Sequence, residues 1–193
     1  MDPILLGAMG LAVVAGAYWT LSRRRDPAAD LKSRAGTSGS RRSFASPDGA
    51  FSLAYPAEWL TRERIDGPLS PGSAFVAMDR AGCMLLEAFL LGPNTLEFYA
   101  QMWASDQKDV HPDTRVLATT PFPLEGGREA LRLTLTYTEG TIAGTSHPFT
   151  TDYFLIDAGS RVLSLNFKVL ASRHDAMRET FEAVARSVRA RRV

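Results

Sequence analysis

Cysteine is almost absent from this sequence of 193 residues, because Cys83 is the only one. A single cysteine excludes an intrachain disulfide, so the chain is not cross-linked in the manner of small secreted domains. Cys83 begins an apolar run that ends at Leu91, where a free cysteine usually packs as a small hydrophobic residue. With 45% hydrophobic residues, the chain is long enough to bury the core of one domain of ordinary size.

Motifs for catalysis and metal binding are also missing. The three histidines, His111, His147 and His174, have no neighbour at the spacing of a metal ligand, so no metal is expected. No serine lies in a nucleophile elbow, and no glycine-rich loop joins a strand to a helix start. Carboxylates such as Glu139 and Asp152 can meet only through the fold. The sequence predicts no enzyme, no cofactor and no catalytic residue.

The net charge of +1 conceals a sorting of charges along the chain. Residues 23–42 carry seven basic and two acidic side chains, a balance of +5. Residues 43–185 carry 11 basic and 18 acidic side chains, a balance of −7. Because the basic residues are not interleaved with aromatic ones and the body is acidic, nucleic acid is not an expected partner.

Residues 4–21 contain no charged side chain and, as a helix rising 1.5 Å per residue, would reach about 27 Å. That length matches the hydrocarbon core of a bilayer, so residues 1–22 are predicted to be a single membrane-spanning anchor. Aromatic residues at the end of the run and a basic cluster directly after it are typical of a membrane interface. These interface residues are Tyr18, Trp19, Arg23, Arg24 and Arg25.

The side of the membrane follows from the basic cluster, which stands after the apolar run. The positive-inside rule places the following domain on the cytoplasmic side of an inner membrane, with the periplasmic side as the alternative. A cleaved signal peptide is the rival interpretation, since Ala15-Gly16-Ala17 resembles a cleavage site. Small residues form one side of the helix and either pack against a partner helix or merely fill the span. They are Gly7, Ala8, Ala12 and Gly16.

Residues 23–42 are predicted to be a basic flexible linker, which anionic lipid headgroups could also attract, and residues 43–193 a soluble domain. Apolar alternation predicts strands near 43–46, 51–55, 74–78, 83–91, 115–120, 128–138, 150–156 and 161–169. Helices are predicted from Asn94 or Thr95 to Asp106, and from Ser172, with Asp175 in a capping pattern, to Arg189. The run 83–91 is apolar on both faces, which favours a central strand between helices.

The segment 139–149 is longer than a hairpin needs, and long loops on a rigid scaffold often bind partners. It is therefore a candidate partner-binding loop, or else a mobile hairpin tip. Its candidate residues are Thr141, Ser146, His147 and Phe149.

The order of these elements resembles the PsbP-like fold superfamily, which includes PsbP, DcrB and Eag-type chaperones. The resemblance rests on FASPDGAFSLAYPAEW, TLEFYAQMW, GREALRLTLTY, TTDYFLIDAGSRVLSLNFKV and MRETFEAVARSV, and covers about Ser43 to Arg189. It implies an α+β domain with one antiparallel sheet flanked by helices on both faces. This chain differs from the PsbP pattern in its predicted uncleaved anchor.

The resemblance further implies a non-catalytic accessory or assembly subunit of an integral membrane protein complex, of photosynthetic or respiratory type by analogy. The lipid bilayer and the partner complex are then the expected partners. One alternative is a chaperone that shields hydrophobic segments of exported proteins with a sheet face. Another is a small-molecule binding domain, which requires a deep pocket.

Overall fold

The computed structural model describes residues 40–61, 75–79, 84–140 and 144–191. In these ranges the chain is an α+β domain of ten strands and two helices. The first strands are β1 (Arg41–Ala45), β2 (Phe51–Pro56), β3 (Leu60–Thr61), β4 (Phe75–Met78) and β5 (Met84–Leu91). Helix α1 (Leu96–Val110) follows, then β6 (Arg115–Pro121), β7 (Ala130–Gly140), β8 (Ser146–Asp157) and β9 (Val162–Leu170). Helix α2 (Ala171–Arg186) and β10 (Arg189–Ala190) complete the described chain.

The strands form two sheets, so the expectation of a single sheet is wrong. A seven-stranded antiparallel sheet has the order β3-β4-β5-β9-β8-β7-β6, and a three-stranded sheet has the order β1-β2-β10. Strand β2 is the centre of the smaller sheet, because β1 pairs with one of its edges and β10 with the other. The alternation of Phe51, Leu53 and Tyr55 identified a half-buried strand, but alternation does not say which sheet a strand joins.

The smaller sheet packs against the larger one through aromatic residues. Phe51, Leu53 and Tyr55 of β2 are buried, and Tyr55 lies 5.0 Å from Phe75 of β4 between ring centroids. Phe44 of β1 stacks on the same Phe75 ring at 4.5 Å. Strands with one apolar face commonly bury that face against a second sheet about 10 Å away, with the inward side chains of both sheets interdigitating. The two sheets therefore share one hydrophobic core.

The helices cover opposite faces of the seven-stranded sheet, as expected. Helix α1 packs on the face that presents Tyr153 and Leu155 of β8. Helix α2 packs on the face that presents Phe154 and Ile156, because successive residues of a strand point to opposite faces. The α2 face also receives the smaller sheet.

The helix ends differ in how well the sequence predicted them. Thr95 is the N-cap of α1, with its Oγ1 accepting a hydrogen bond from the Phe98 amide at 3.1 Å, as the sequence indicated. The capping pattern proposed for Ser172 and Asp175 is wrong, because α2 begins at Ala171 after Leu170 and has no side-chain cap. Helix α2 also ends earlier than expected, since the chain turns at Ser187 to form β10.

Strand β5 is an interior strand of the large sheet, between β4 and β9, as its apolar sequence suggested. The middle position belongs to β9, between β5 and β8, and the described helices contact β8. The predicted anchor 1–22 and most of the linker lie outside the described residues. Among the described residues, no helix is both long and apolar enough to cross a membrane.

Candidate functional site

Strand β6 is an edge strand of the large sheet with little covering it. Its outer edge pairs with no strand in the described part of the chain, and six of its seven residues are exposed. Val116 is 54% exposed and Leu117 is 58% exposed, which is unusual for large apolar side chains on a sheet. Unpaired edges with apolar side chains are places where another chain can add a strand.

A β-bulge sets the direction of these side chains. Val116 pairs with Leu135 of β7 and Ala118 pairs with Thr134, so Leu117 has no partner on β7. A bulge increases the local twist and changes the direction of a side chain. Val110, the last residue of α1, is a third exposed apolar side chain at 47% and is joined to β6 by the turn 111–114. We call Val110, Val116 and Leu117 the edge patch.

The turn between Val110 and β6 is fixed by one buried threonine. Thr114 Oγ1 donates to the main-chain oxygen of His111 at 2.6 Å and lies 3.0 Å from that of Gln107. The His111 amide also donates to the Gln107 oxygen at 2.8 Å. These bonds satisfy carbonyl groups at the end of α1 and hold the helix end beside β6.

Three carboxylates lie near Val110 along the chain. Asp106, Asp109 and Asp113 lie within seven residues of Val110 on α1 and the turn. Burial, followed by repulsion from Asp109, raises the pKa of Asp106, whereas hydrogen bonds from Thr138 lower the pKa of Asp113. Only Lys108 and Arg115 bring positive charge to the same stretch. The stretch therefore carries three carboxylates against two cations beside its exposed apolar side chains, which favours a partner segment with apolar and basic residues.

A half-buried polar cluster lies behind the turn. The ring of His111 stacks on Tyr137 with 4.4 Å between centroids, and its Nε2 is 3.4 Å from Oε1 of Glu139. Glu139 also pairs with Lys168, whose Nζ lies 4.8 Å above the Phe149 ring. Burial lowers the pKa of His111; Glu139 raises it in opposition, and Lys168 lowers it further.

The opposite face carries a second ionic cluster, which we call the α2 network: Arg132, Thr134, Asp152, His174 and Glu182. Asp152 is completely buried and receives both Arg132 Nε at 3.1 Å and Arg132 Nη2 at 2.7 Å. Thr134 Oγ1 donates to it at 2.6 Å, and His174 Nε2 lies at 2.9 Å. Burial pushes the pKa of Asp152 up, but the hydrogen bonds from His174, Arg132 and Thr134 outweigh it and lower the pKa.

Asp152 and Glu139, the carboxylates considered for an acid–base pair, do not meet. Asp152 faces α2 and Glu139 faces the side of α1, since they occupy opposite faces of the sheet. The α2 network resembles a structural ion cluster, because every charge in it is paired within the domain. In the described ranges, no three side chains of His, Cys, Asp or Glu converge to hold a metal.

The candidate loop 139–149 is mostly a β-ladder. Strands β7 and β8 pair as far as Gly140 and Ser146, so the connection is short and the predicted long loop is wrong. Ser146 and His147 are exposed, but Phe149 is buried against Tyr137 and Leu170 and cannot contact a partner. Thr141 lies outside the described residues, as do the helix-packing residues Gly7, Ala8, Ala12 and Gly16 and the interface residues Tyr18, Trp19 and Arg23 to Arg25.

A cleft of about 250 Å³ lies between the β1–β2 turn, the β8–β9 turn and the end of the described chain. It is lined by Asp48, Ala50, Leu90, Ala158, Ser160, Arg161 and Arg191. Its charged side chains, Asp48, Arg161 and Arg191, are all exposed. It therefore lacks the enclosed, convergent polar groups of a typical ligand site.

The edge patch was not predicted from the sequence. Apolar alternation predicts strand 115–120 but does not indicate that this strand forms an edge. One signal was present: Val116, Leu117 and Ala118 are consecutive apolar residues, and this breaks the period of two in the way a bulge does.

Neither a comparison with models of known protein families nor one with curated proteins finds a match. Solved structures, in contrast, share the fold. Cyanobacterial PsbP from Synechocystis sp. PCC 6803 has a TM-score of 0.57 and 15% identity, covering 81% of this chain and 97% of that chain. The Ran-binding protein Mog1p of Saccharomyces cerevisiae has a TM-score of 0.59 and 11% identity, covering 79% and 96%. At these identities the similarity concerns the fold, and it confirms the PsbP-like fold that the sequence suggested.

Proposed function

We propose that this protein is a non-catalytic accessory or assembly subunit that binds a partner protein through the edge patch. The observation that carries the proposal is the uncovered β6 edge with Val110, Val116 and Leu117 exposed on it. A partner strand that added to β6 would extend the seven-stranded sheet and cover the two apolar side chains of the bulge. The carboxylates of Asp106, Asp109 and Asp113 near Val110 would favour basic residues on the partner.

The structural neighbours support a binding role at a coarse level. One of them is a Ran-binding protein, so this fold serves for binding in another chain.

The finer proposal is that the partner is an integral membrane protein complex of photosynthetic or respiratory type. Residues 4–21 would anchor the chain in an inner membrane, with Tyr18, Trp19 and the arginines at its interface. The domain would face the cytoplasm, or the periplasm in the alternative orientation. Residues Gly7, Ala8, Ala12 and Gly16 would let a partner helix approach closely.

The alternatives find less support in the described residues. A chaperone would need an open apolar sheet face, but helices lie on both faces of the large sheet. A small-molecule binder would need a deeper cleft than the one beside Arg161 and Arg191.

The test is affinity purification of the full-length chain from native membranes in mild detergent, followed by identification of the proteins that accompany it. We expect a membrane complex to accompany the unaltered chain and to be lost with Leu117→Arg. Phe98→Arg is the matched control, since Phe98 is another exposed apolar side chain, at 48% against 58% for Leu117, but lies in the first turn of α1. Recovery of the chain as a lone monomer, or equal loss with both variants, would contradict the proposal.

The membrane side is tested separately by protease accessibility in sealed vesicles. Cleavage of the domain only in vesicles that expose their cytoplasmic face supports the proposed orientation. Recovery of the chain in the soluble fraction without detergent would reject the anchor but not the edge patch.

A further inference from the structure

The two helices are attached to the large sheet in different ways. Two side chains of α2 bond to the sheet: His174 to Asp152 at 2.9 Å and Glu182 to Arg132 at 3.0 Å. The helix also reaches β4's end, where Arg173 bonds to Asp79 at 3.1 Å. Hydrogen bonds to charged groups are the stronger ones in proteins. Helix α2 is therefore fixed to its face of the sheet by charged hydrogen bonds as well as by apolar packing.

Helix α1 has no such attachment. Within the described ranges, the polar contact from an α1 side chain to a strand is a weak one between Gln107 and the Tyr153 hydroxyl, and no α1 side chain forms an ion pair with a strand. Its other contacts are apolar ones from Leu96, Tyr99, Ala100 and Trp103. Trp103 stacks on Tyr153 of β8, with ring planes 13° apart and centroids 5.3 Å apart.

The interface beneath α1 instead contains buried polar atoms without partners. We call this set the polar layer: Trp103, Gln107, Tyr153, Ser164 and Asn166. Trp103 Nε1, Gln107 Oε1, the Tyr153 hydroxyl, Ser164 Oγ and Asn166 Oδ1 are all buried, and no protein group forms a hydrogen bond of normal geometry with them. Gln107 lies near the Tyr153 hydroxyl, yet no hydrogen bond of normal geometry joins them. Each of these residues is more than nine-tenths buried.

These atoms form one contiguous group. Tyr153 lies directly opposite Asn166 on β9, and Ser164 is two residues away on the same face. Trp103 and Gln107 are four residues apart, so they lie on the same side of α1. Native interiors rarely leave buried polar groups unpaired, and such groups often mark a functional or strained region.

We infer that α1 is the movable layer of this domain and opens from the sheet as a unit. Opening lets water reach all five unpaired atoms at once, which offsets part of the cost of exposing the apolar contacts of α1. The flanking segments, from Gly92 to Thr95 and from His111 to Thr114, provide the connections about which it moves. The α2 face remains closed because opening it breaks the part-buried hydrogen bonds of Glu182 with Arg132 and of His174 with Asp152.

The experiment is amide hydrogen exchange, read by mass spectrometry, on the purified full-length chain in detergent micelles. We expect amides of residues 96–110 to exchange at least about tenfold faster than those of residues 171–186. Equal protection of the two helices would overturn the inference.

Two variants make the test specific. Glu182→Gln weakens the α2 network, so it is expected to reduce protection of α2 while leaving exchange from α1 unchanged. Parallel loss of amide protection in both helices would mean that α1 opens only by global unfolding, and would overturn the inference.

Ser164→Ala removes one unpaired atom without adding volume, so it is expected to slow exchange from α1 by up to about tenfold. Unchanged or faster exchange from α1 would also overturn the inference.

Discussion

Asp152 illustrates how strongly the role of a carboxylate depends on its surroundings. Its side chain is fully buried and bonded to Arg132, Thr134 and His174, whereas the side chain of Asp175 on α2 is fully exposed. We expect Asp152→Asn to lower the free energy of unfolding by about 3–5 kcal/mol, because Arg132 loses its buried counter-charge. Asp175→Asn should change it by less than about 0.5 kcal/mol. Urea denaturation measures both, and equal effects would show that the α2 network contributes little to stability.

His111 gives the domain a pH dependence near neutrality. Burial holds its pKa below the usual value in the folded state, so the unfolded chain takes up the proton first as the pH falls. The folded state therefore loses stability as the pH drops from about 6.5, the pKa of histidine in an unfolded chain, towards the lower pKa of His111 in the folded state. His111→Phe keeps the stacking on Tyr137 but cannot be protonated. Melting temperatures at about pH 7.5 and about pH 5 should differ less in the variant, and an equal difference would contradict this assignment.

Among the elements, the β1–β2 turn depends on one glycine. Gly49 has a φ of +66°, and a Cβ built there would meet nothing within 4 Å, so any penalty for a side chain comes from the backbone. Ser46 and Asp48 complete the turn, since Asp48 Oδ1 accepts from the Ser46 hydroxyl at 2.7 Å and the Ala50 amide at 3.0 Å. We expect Gly49→Ala to cost about 1–2 kcal/mol in thermal or urea unfolding.

Gly140 is the control for Gly49. It also has open space around its Cα but no positive φ, so Gly140→Ala should be neutral within about 0.5 kcal/mol. A similar cost at both glycines would mean that local backbone conformation does not explain the effect.

Local patterns predicted the elements better than their arrangement. Asp48-Gly49 identified the first turn, and Thr95 identified the start of α1, because both signals act within a few residues. Strand β10 was not predicted because a strand of two residues shows no apolar alternation. Its partner β2 also lies far away in the sequence. The separation of the sheets and the edge position of β6 are likewise long-range outcomes. The polar layer could not be predicted, since Trp103, Tyr153 and Asn166 meet only after α1 packs on the sheet.

At the scale of the whole domain, the smaller sheet joins the two ends of the described chain. Strands β1 and β10 flank β2, and the Arg191 amide donates to the Ala50 oxygen at 2.7 Å. The α2 face therefore holds the small sheet, α2 and the α2 network, while α1 stands apart on the other face. The face held together by the α2 network therefore lies beside β1, the strand that follows residues 1–39. The edge patch and α1 belong to the other part of the domain.

Because β1 and β10 both pair with β2, the two ends of the described chain lie close enough to be joined by a linker. Arg41 pairs with Pro56 and Ala190 with Phe51, so the two ends lie roughly 20 Å apart from strand spacing and rise. A flexible linker of about eight residues can span that distance. We expect a circular permutant of residues 40–191, with new ends between Gly126 and Gly127 in the exposed loop before β7, to keep the native fold. Circular dichroism and a cooperative melting transition would verify it, and a molten, non-cooperative product would show that the native chain order is required for folding.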